Sequence, residues 1–231
     1  MGGCTFGGYV NDASQNQANY EFFPSQGATI PSPLLERTLP ANLYPLTWLL
    51  PSGLLFMQSN WETALLNYHT HEETPLDNMP DAVRTYPASA GTIMMPLTPA
   101  NNWTATIMFC GGSNVQPNQY VSVRLWPYML FYHCYRWQSS GFDIPTYPAS
   151  TSCVKITPDQ SSSYVQDDPL PEARAMANLL FLPNGKILCL NGAQLGNVIT
   201  RFSARSQIIL IYTRNGGLWQ RFLGYWSILR G

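Results

Sequence analysis

Leu50-Pro51-Ser52-Gly53-Leu54-Leu55-Phe56-Met57-Gln58-Ser59-Asn60 and Leu182-Pro183-Asn184-Gly185-Lys186-Ile187-Leu188-Cys189-Leu190-Asn191-Gly192 are two copies of one strand–turn–strand unit. In register their Pro-X-Gly turns coincide, and the closing Ser59-Asn60 falls on Asn191-Gly192. A third copy, Met94 to Gly112, widens the turn to Pro99-Ala100-Asn101-Asn102 and closes on Gly111-Gly112. Met1-Gly2-Gly3 reads as the last residues of a further copy whose beginning is missing. A unit repeated in this way cannot bury its own faces and must stack against its sisters. The closing positions Gly3, Asn60, Gly112 and Gly192 are 57, 52 and 80 residues apart. The first two separations fit the roughly 50-residue period of a kelch-type propeller blade; the third is too long.

Composition points the same way. Hydrophobic residues make up 45% of the 231 and charged residues 11%, with 19 Pro and 17 Gly. That balance describes short strands joined by many turns, not helices with solvated charged faces. A net charge of −1 gives no electrostatic case for nucleic acid or an anionic membrane. No window has the length and purity of a transmembrane helix. The N-terminus lacks the basic start and apolar run of a secretory signal peptide. Met1-Gly2-Gly3-Cys4 hints at lipidation, but Phe6 stands where that motif needs Ser or Thr, so a strand end is the better reading. Asn102-Trp103-Thr104 is a glycosylation sequon, meaningful only in a secreted chain.

Along the chain, Gly7 to Phe23 reads as a strand pair joined by the polar turn Asn11 to Gln17, and Pro24 to Pro40 as Pro- and Ser-rich connection. Leu43 to Asn60 supplies a hairpin turned at Pro51-Ser52-Gly53, with Thr63 to Tyr68 as a third, outer strand. Tyr86 to Gly112 starts the next blade, and Cys153 to Ile156 belongs to one of its outer strands. Glu172 to Gly192 starts another. Apolar runs such as Ala105-Thr106-Ile107-Met108-Phe109 suit strands buried on both faces.

Four longer stretches carry a family resemblance. Asn42 to Gly53, Met79 to Gly91, Asp167 to Arg174 and Leu190 to Gly196 resemble the glyoxal oxidase branch of the copper radical oxidases. The resemblance implies an all-β fold, about three blades of a seven-bladed kelch propeller. In its intact form such a propeller oxidises small aldehydes and reduces O2 to H2O2, outside the cell. The family site holds one copper ion between two tyrosines and two histidines, one tyrosine being cross-linked to a cysteine as the radical cofactor. No catalytic, cofactor-binding or metal residue of that site has a counterpart here. The cross-linked tyrosine belongs on a strand before Met1, its cysteine earlier still, and the Tyr-His pair and second histidine in later blades. Gly2-Gly3-Cys4-Thr5-Phe6 borders the expected site, with Phe6 at most a wall behind it. The expectation is therefore an inactive fragment without copper; the alternative is a non-catalytic kelch module binding a protein or glycan. Open propeller edges favour self-association.

The pattern spans residues 1–196 and fails in two places. After Gly196, residues 197–231 resemble no blade. Shifting Asn215-Gly216-Gly217-Leu218-Trp219-Gln220-Arg221-Phe222 by one nucleotide permits Thr-Ala-Gly-Tyr-Gly-Asn-Asp-Ser, the expected family continuation. Residues 197 to about 214 thus read as a translated intron, followed by an exon out of frame. Inside the long gap, Val121-Ser122 can be encoded by a splice-donor sequence and Gln138 by an acceptor. Removing residues 121–138 leaves a separation of 62, which suits a blade with a longer outer loop. A genuine loop insertion is the alternative.

Several attractive residues lead nowhere. His69-Thr70-His71 with Glu72-Glu73 resembles a small metal site, since period-two spacing puts both imidazoles on one strand face. Two ligands from one strand make an incomplete site, and a solvated hairpin end is the preferred reading. His133 falls within the suspected read-through. Cys110 and Cys153 could form a disulfide within one blade or remain buried thiols, and Cys189 alternates into a core strand. Asp167-Asp168 lies in a turn before Pro169 without the partner of an acid–base pair.

Overall fold

The computed structural model describes residues 1–5, 15–86, 88–113 and 148–194, and the backbone of 209–212 and 219–222. Ahead of the first repeat, β1 (Asn19–Tyr20) pairs with β2 (Ile30–Pro31), and Pro33–Arg37 forms a short helix, α1. The stretch expected to be plain connection thus holds a strand and a helix. The helix start is legible in hindsight: Ser32 is its N-cap, accepting the Leu35 N–H at 3.3 Å, and Pro33 sits in the first turn. Glu73 completes the cap from a distance, accepting the Ser32 hydroxyl at 2.5 Å and the Leu34 N–H at 2.7 Å. The expected Asn11 to Gln17 turn also differs. Gln17 N–H donates to the Gly3 carbonyl and Thr5 N–H to that of Gln15, so Gln15 to Gln17 is one arm of a pairing rather than its bend. Residues 6–14, which would join the arms, lie outside the described residues.

The rest is all-β. β3 (Leu46–Leu49), β4 (Leu55–Ser59), β5 (Glu62–Asn67) and β6 (Glu72–Pro75) form one antiparallel four-stranded sheet in chain order. β7 (Gly91–Met94), β8 (Ile107–Cys110), β9 (Cys153–Ile156) and β10 (Val165–Asp167) form the second. β11 (Ala175–Phe181), β12 (Ile187–Ala193), β13 (Ile209–Tyr212) and β14 (Trp219–Phe222) form the third. Each is a propeller-blade meander. The turns of the two quoted copies match bond for bond: Leu50 N–H donates to Leu54 O and Gly53 N–H to Leu50 O, as Leu182 does to Lys186 and Gly185 to Leu182. Gly53 (φ 83°) and Gly185 (φ 77°) supply the left-handed position these turns require.

Period-two alternation explains the continuous apolar runs. Phe56, Ile107, Phe109, Val154 and Ile156 form the core between the first and second sheets. Their chain neighbours Met108, Cys110 and Cys153 pack instead with Ala177, Leu179, Ile187 and Cys189 between the second and third sheets. On the first sheet's far side, Met57, Ala64 and Leu66 are covered by Tyr20, Leu34 and Leu35 from the N-terminal segment. Every residue of β8 is buried, whereas Leu180 on the open side of the third sheet is 50% exposed. A blade in the middle of a stack must be apolar on both faces; an end blade is not.

Two expectations change in the structure. The segment Glu72-Glu73 belongs to a fourth strand, so Thr63 to Tyr68 is not the outermost one. Asp167 closes β10 and pairs with Lys155 at 3.1 Å instead of sitting in a turn. Residues of the tail also form β13 and β14, which pair onto β12 as the third and fourth strands. Residues 121–138 lie outside the described residues.

Candidate functional site

All four closing pairs contain left-handed backbone, and the first three tie their blade to the next. Gly2, Gly3, Asn60, Gly111, Gly112, Asn191 and Gly192 all have φ between 49° and 96°. Gly3 N–H donates to Leu43 O at 3.1 Å, Asn60 N–H to Thr85 Oγ1 at 3.0 Å, and Gly112 N–H to Arg174 O at 2.8 Å. In every case the acceptor lies just ahead of the following blade's first strand. Contact is close enough that a Cβ on Gly111 would stand 2.1 Å from the Arg174 carbonyl oxygen, and one on Gly112 2.3 Å from that of Val83.

Two buried arginines reinforce this face. Arg84, fully buried, donates from Nη1 to the carbonyls of Gly111 and, at 2.8 Å, Ser152, and from Nη2 to the Ser152 hydroxyl at 3.1 Å. Arg174 donates from Nη1 to the Asn191 carbonyl at 2.6 Å and pairs with Glu172 at 3.7 Å. Burial draws the Arg84 guanidinium down to about 10, against the pull of Asp81. Asp81 accepts from Ser152 Oγ and Gln166 Nε2, both at 2.7 Å, and these bonds hold its carboxyl below the usual range. Neither arginine stood out as a functional residue in the sequence. Their signal was an arginine set among Pro, Ala and Val just before an apolar strand. Beside them, Tyr44 and Tyr86 meet edge to face at 5.5 Å, and burial first, then Tyr44, pushes the Tyr86 phenol up to about 12.

The described donors do not fit a copper centre. His69 and His71 sit in the β5–β6 hairpin turn, at the end of the outer strands opposite the closing pair. His71 Nδ1 is 2.9 Å from the Tyr20 hydroxyl, and Glu73 caps α1. The period-two strand geometry imagined for these imidazoles is absent, because the residues form the turn. Among the described residues no group of three or more His, Cys, Asp or Glu could hold a metal ion. His133 and Phe6 lie outside the described residues. Cys110 and Cys153, directly opposite across β8 and β9, form a disulfide. Cys189 is buried, and burial raises its thiol to about 11. No helix among the described residues is long and apolar enough to cross a membrane.

Stacked four-stranded antiparallel sheets define the described chain as all-β, consistent with blades of a propeller. The model of the glyoxal oxidase N-terminus matches residues 12–223, and the chain belongs to that family. The match runs past Gly196, where the sequence pattern had been read as ending. The chain is 28% identical to aldehyde oxidase GLOX1 of Arabidopsis thaliana over 94% of its own length and 34% of the relative's. It is 27% identical to aldehyde oxidase GLOX of Vitis pseudoreticulata, covering 93% of this chain and 37% of that one. It therefore spans about a third of the length of these relatives. A solved fungal alcohol oxidase of the AA5 family, in complex with copper, aligns over 78% of this chain and 53% of its own at 15% identity, with a TM-score of 0.31.

Proposed function

We propose that this chain is an inactive, roughly three-blade piece of a seven-bladed glyoxal oxidase-like enzyme. The intact enzyme would convert a small aldehyde, O2 and water into the carboxylic acid and H2O2, outside the cell. The carrying observation is a family match across residues 12–223 in a chain spanning about a third of its aldehyde oxidase relatives. In the intact enzyme, copper and the tyrosine–cysteine radical would be held by other blades. The disulfide agrees with an oxidising compartment. Exposed Leu180 and Phe181 on the third sheet favour self-association, visible by sedimentation.

The test is to load the purified chain with Cu(II) and assay glyoxal and methylglyoxal for H2O2. The expected result is no stoichiometric copper and no peroxide. One copper per chain with a tyrosyl-radical spectrum overturns the reading. A soluble, strictly monomeric product without copper favours instead a non-catalytic kelch module that binds a protein or glycan. The N-terminal cover on the first sheet is the feature that speaks for such a self-standing module.

The read-through of residues 121–138 and 197–231 belongs to the same proposal. Pairing of β13 with β12 does not oppose it, because an apolar, β-branched run such as Ile209-Leu210-Ile211-Tyr212 will add to any open strand edge. Sequencing the transcript across the corresponding codons decides it. Splicing out both segments makes the product a longer oxidase; retention makes this chain the product.

A further inference from the structure

We infer that Asn102 is an N-glycosylation site carrying an oligosaccharide on the propeller face opposite the closing pairs. Two independent observations support it. The first is the disulfide between Cys110 and Cys153, which forms in the same blade and places the folded chain in an oxidising compartment. There the Asn102-Trp103-Thr104 sequon, the only one in the sequence, acquires meaning. The second is the local geometry. Asn101 is spent on the turn, its Oδ1 accepting the Thr98 N–H at 2.9 Å and its Nδ2 donating to the Pro96 carbonyl at 2.9 Å. Asn102 follows in left-handed conformation (φ 51°), with an exposed side chain that makes no hydrogen bond among the described residues. Trp103 beside it is 55% exposed. The turn joins β7 to β8 at the end remote from Gly111-Gly112, so a glycan there leaves the interblade face clear.

The co-substrate is a lipid-diphosphate-linked oligosaccharide. The Asn102 amide nitrogen bonds to the sugar C1 while the C1–O bond to diphosphate breaks. The lipid diphosphate leaves with the electron pair, and the amide gives up one proton. This site lies outside the oxidase reading and does not depend on it.

The test expresses the full chain in a eukaryotic host behind a cleavable secretion leader, with both microsomal and secreted fractions collected. Each is treated with peptide-N-glycosidase in heavy-oxygen water and mapped by mass spectrometry. The expected result is a mobility shift on deglycosylation and a labelled Asp at position 102. Asn102→Gly, which suits the left-handed backbone, and Thr104→Ala should each abolish the shift, and Thr104→Ser should retain it. An unmodified Asn102 peptide from chains whose Cys110–Cys153 bond has formed overturns the inference. So does a shift that survives Thr104→Ala.

Discussion

The guanidinium of Arg84 donates to the carbonyl of Gly111, the first residue of the pair that closes its own blade. Arg174 makes the same bond to Asn191 one blade later. The carbonyl of Arg174 in turn accepts the Gly112 N–H of the preceding blade, and beside Arg84 the Thr85 hydroxyl accepts the Asn60 N–H in the same way, so each arginine segment serves its own blade and the one before it. This is a repeated lock, formed where the sheets converge.

Removing the Arg84 side chain should therefore cost more than its lost packing. Arg84→Met would leave the buried Gly111 carbonyl unpaired, worth about 1–3 kcal/mol, while the Ser152 carbonyl keeps the Gly111 N–H. Arg84→Lys should rescue little, since one ammonium cannot reproduce the two-pronged donation. Urea unfolding measures both. A Met variant within experimental error of the parent would dismiss the lock.

Two glycines with nearly equal dihedrals make a sharper contrast. Gly53 (φ 83°) has nothing within 4 Å of a would-be Cβ, so Gly53→Ala should lose about 1–2 kcal/mol from the left-handed backbone alone. A Cβ on Gly111 (φ 86°) would stand 2.1 Å from the Arg174 carbonyl oxygen, so Gly111→Ala must also pry the second and third sheets apart. Its unfolding midpoint should fall well below that of Gly53→Ala. Equal losses would mean that the close approach carries no weight.

The tyrosine and aspartate on this face predict opposite pH limits. Burial raises the Tyr86 phenol to about 12. Its contribution is complete below the ordinary value near 10 and is lost as pH climbs from there through 12. Tyr86→Phe should flatten the alkaline fall in stability, with tyrosinate absorbance following the titration. The Asp81 carboxyl is held low by Ser152 and Gln166, so its contribution is present above about 3.9 and lost as acid carries it through its lowered value. Ser152→Ala should move the acid unfolding midpoint upward; an unmoved midpoint would remove Asp81 from the account.

The repeat and its turns were legible because they depend on local chemistry. Pro51-Ser52-Gly53 and Asn184-Gly185 specify a bend whatever surrounds them. The alternation of Phe56 with Met57 and of Phe109 with Met108 follows from strand periodicity alone. What escaped were features completed from far away. Ser32 begins a helix with help from Glu73, and Arg84 finds Ser152 across 68 residues. The β5–β6 turn was misjudged for a related reason. Period-two reading assumes a strand, and His71 instead takes a φ of 63° with its ring held by Tyr20.

The neck of the long excursion gives the last prediction. Ser113 and Ala149 are antiparallel bridge partners, Ser113 Oγ donates to the Pro148 carbonyl at 2.9 Å, and Ser150 N–H donates to Gly112 O at 2.8 Å. The Cys110–Cys153 bond lies immediately below, and Arg84 spans the two residues beside it, Gly111 and Ser152. Both ends of the excursion are thus held by bonds of their own. Loop-closure entropy changes slowly with length, by about 0.6 kcal/mol per doubling, so shortening such a loop should cost nothing. A variant lacking residues 121–138 is thus expected to unfold at a denaturant concentration equal to or above that of the full chain, with the Cys110–Cys153 bond intact by peptide mapping. If the deletion instead collapses the transition or scrambles the disulfide, those residues pack on the blades, and the case for reading them as an intron fails with it.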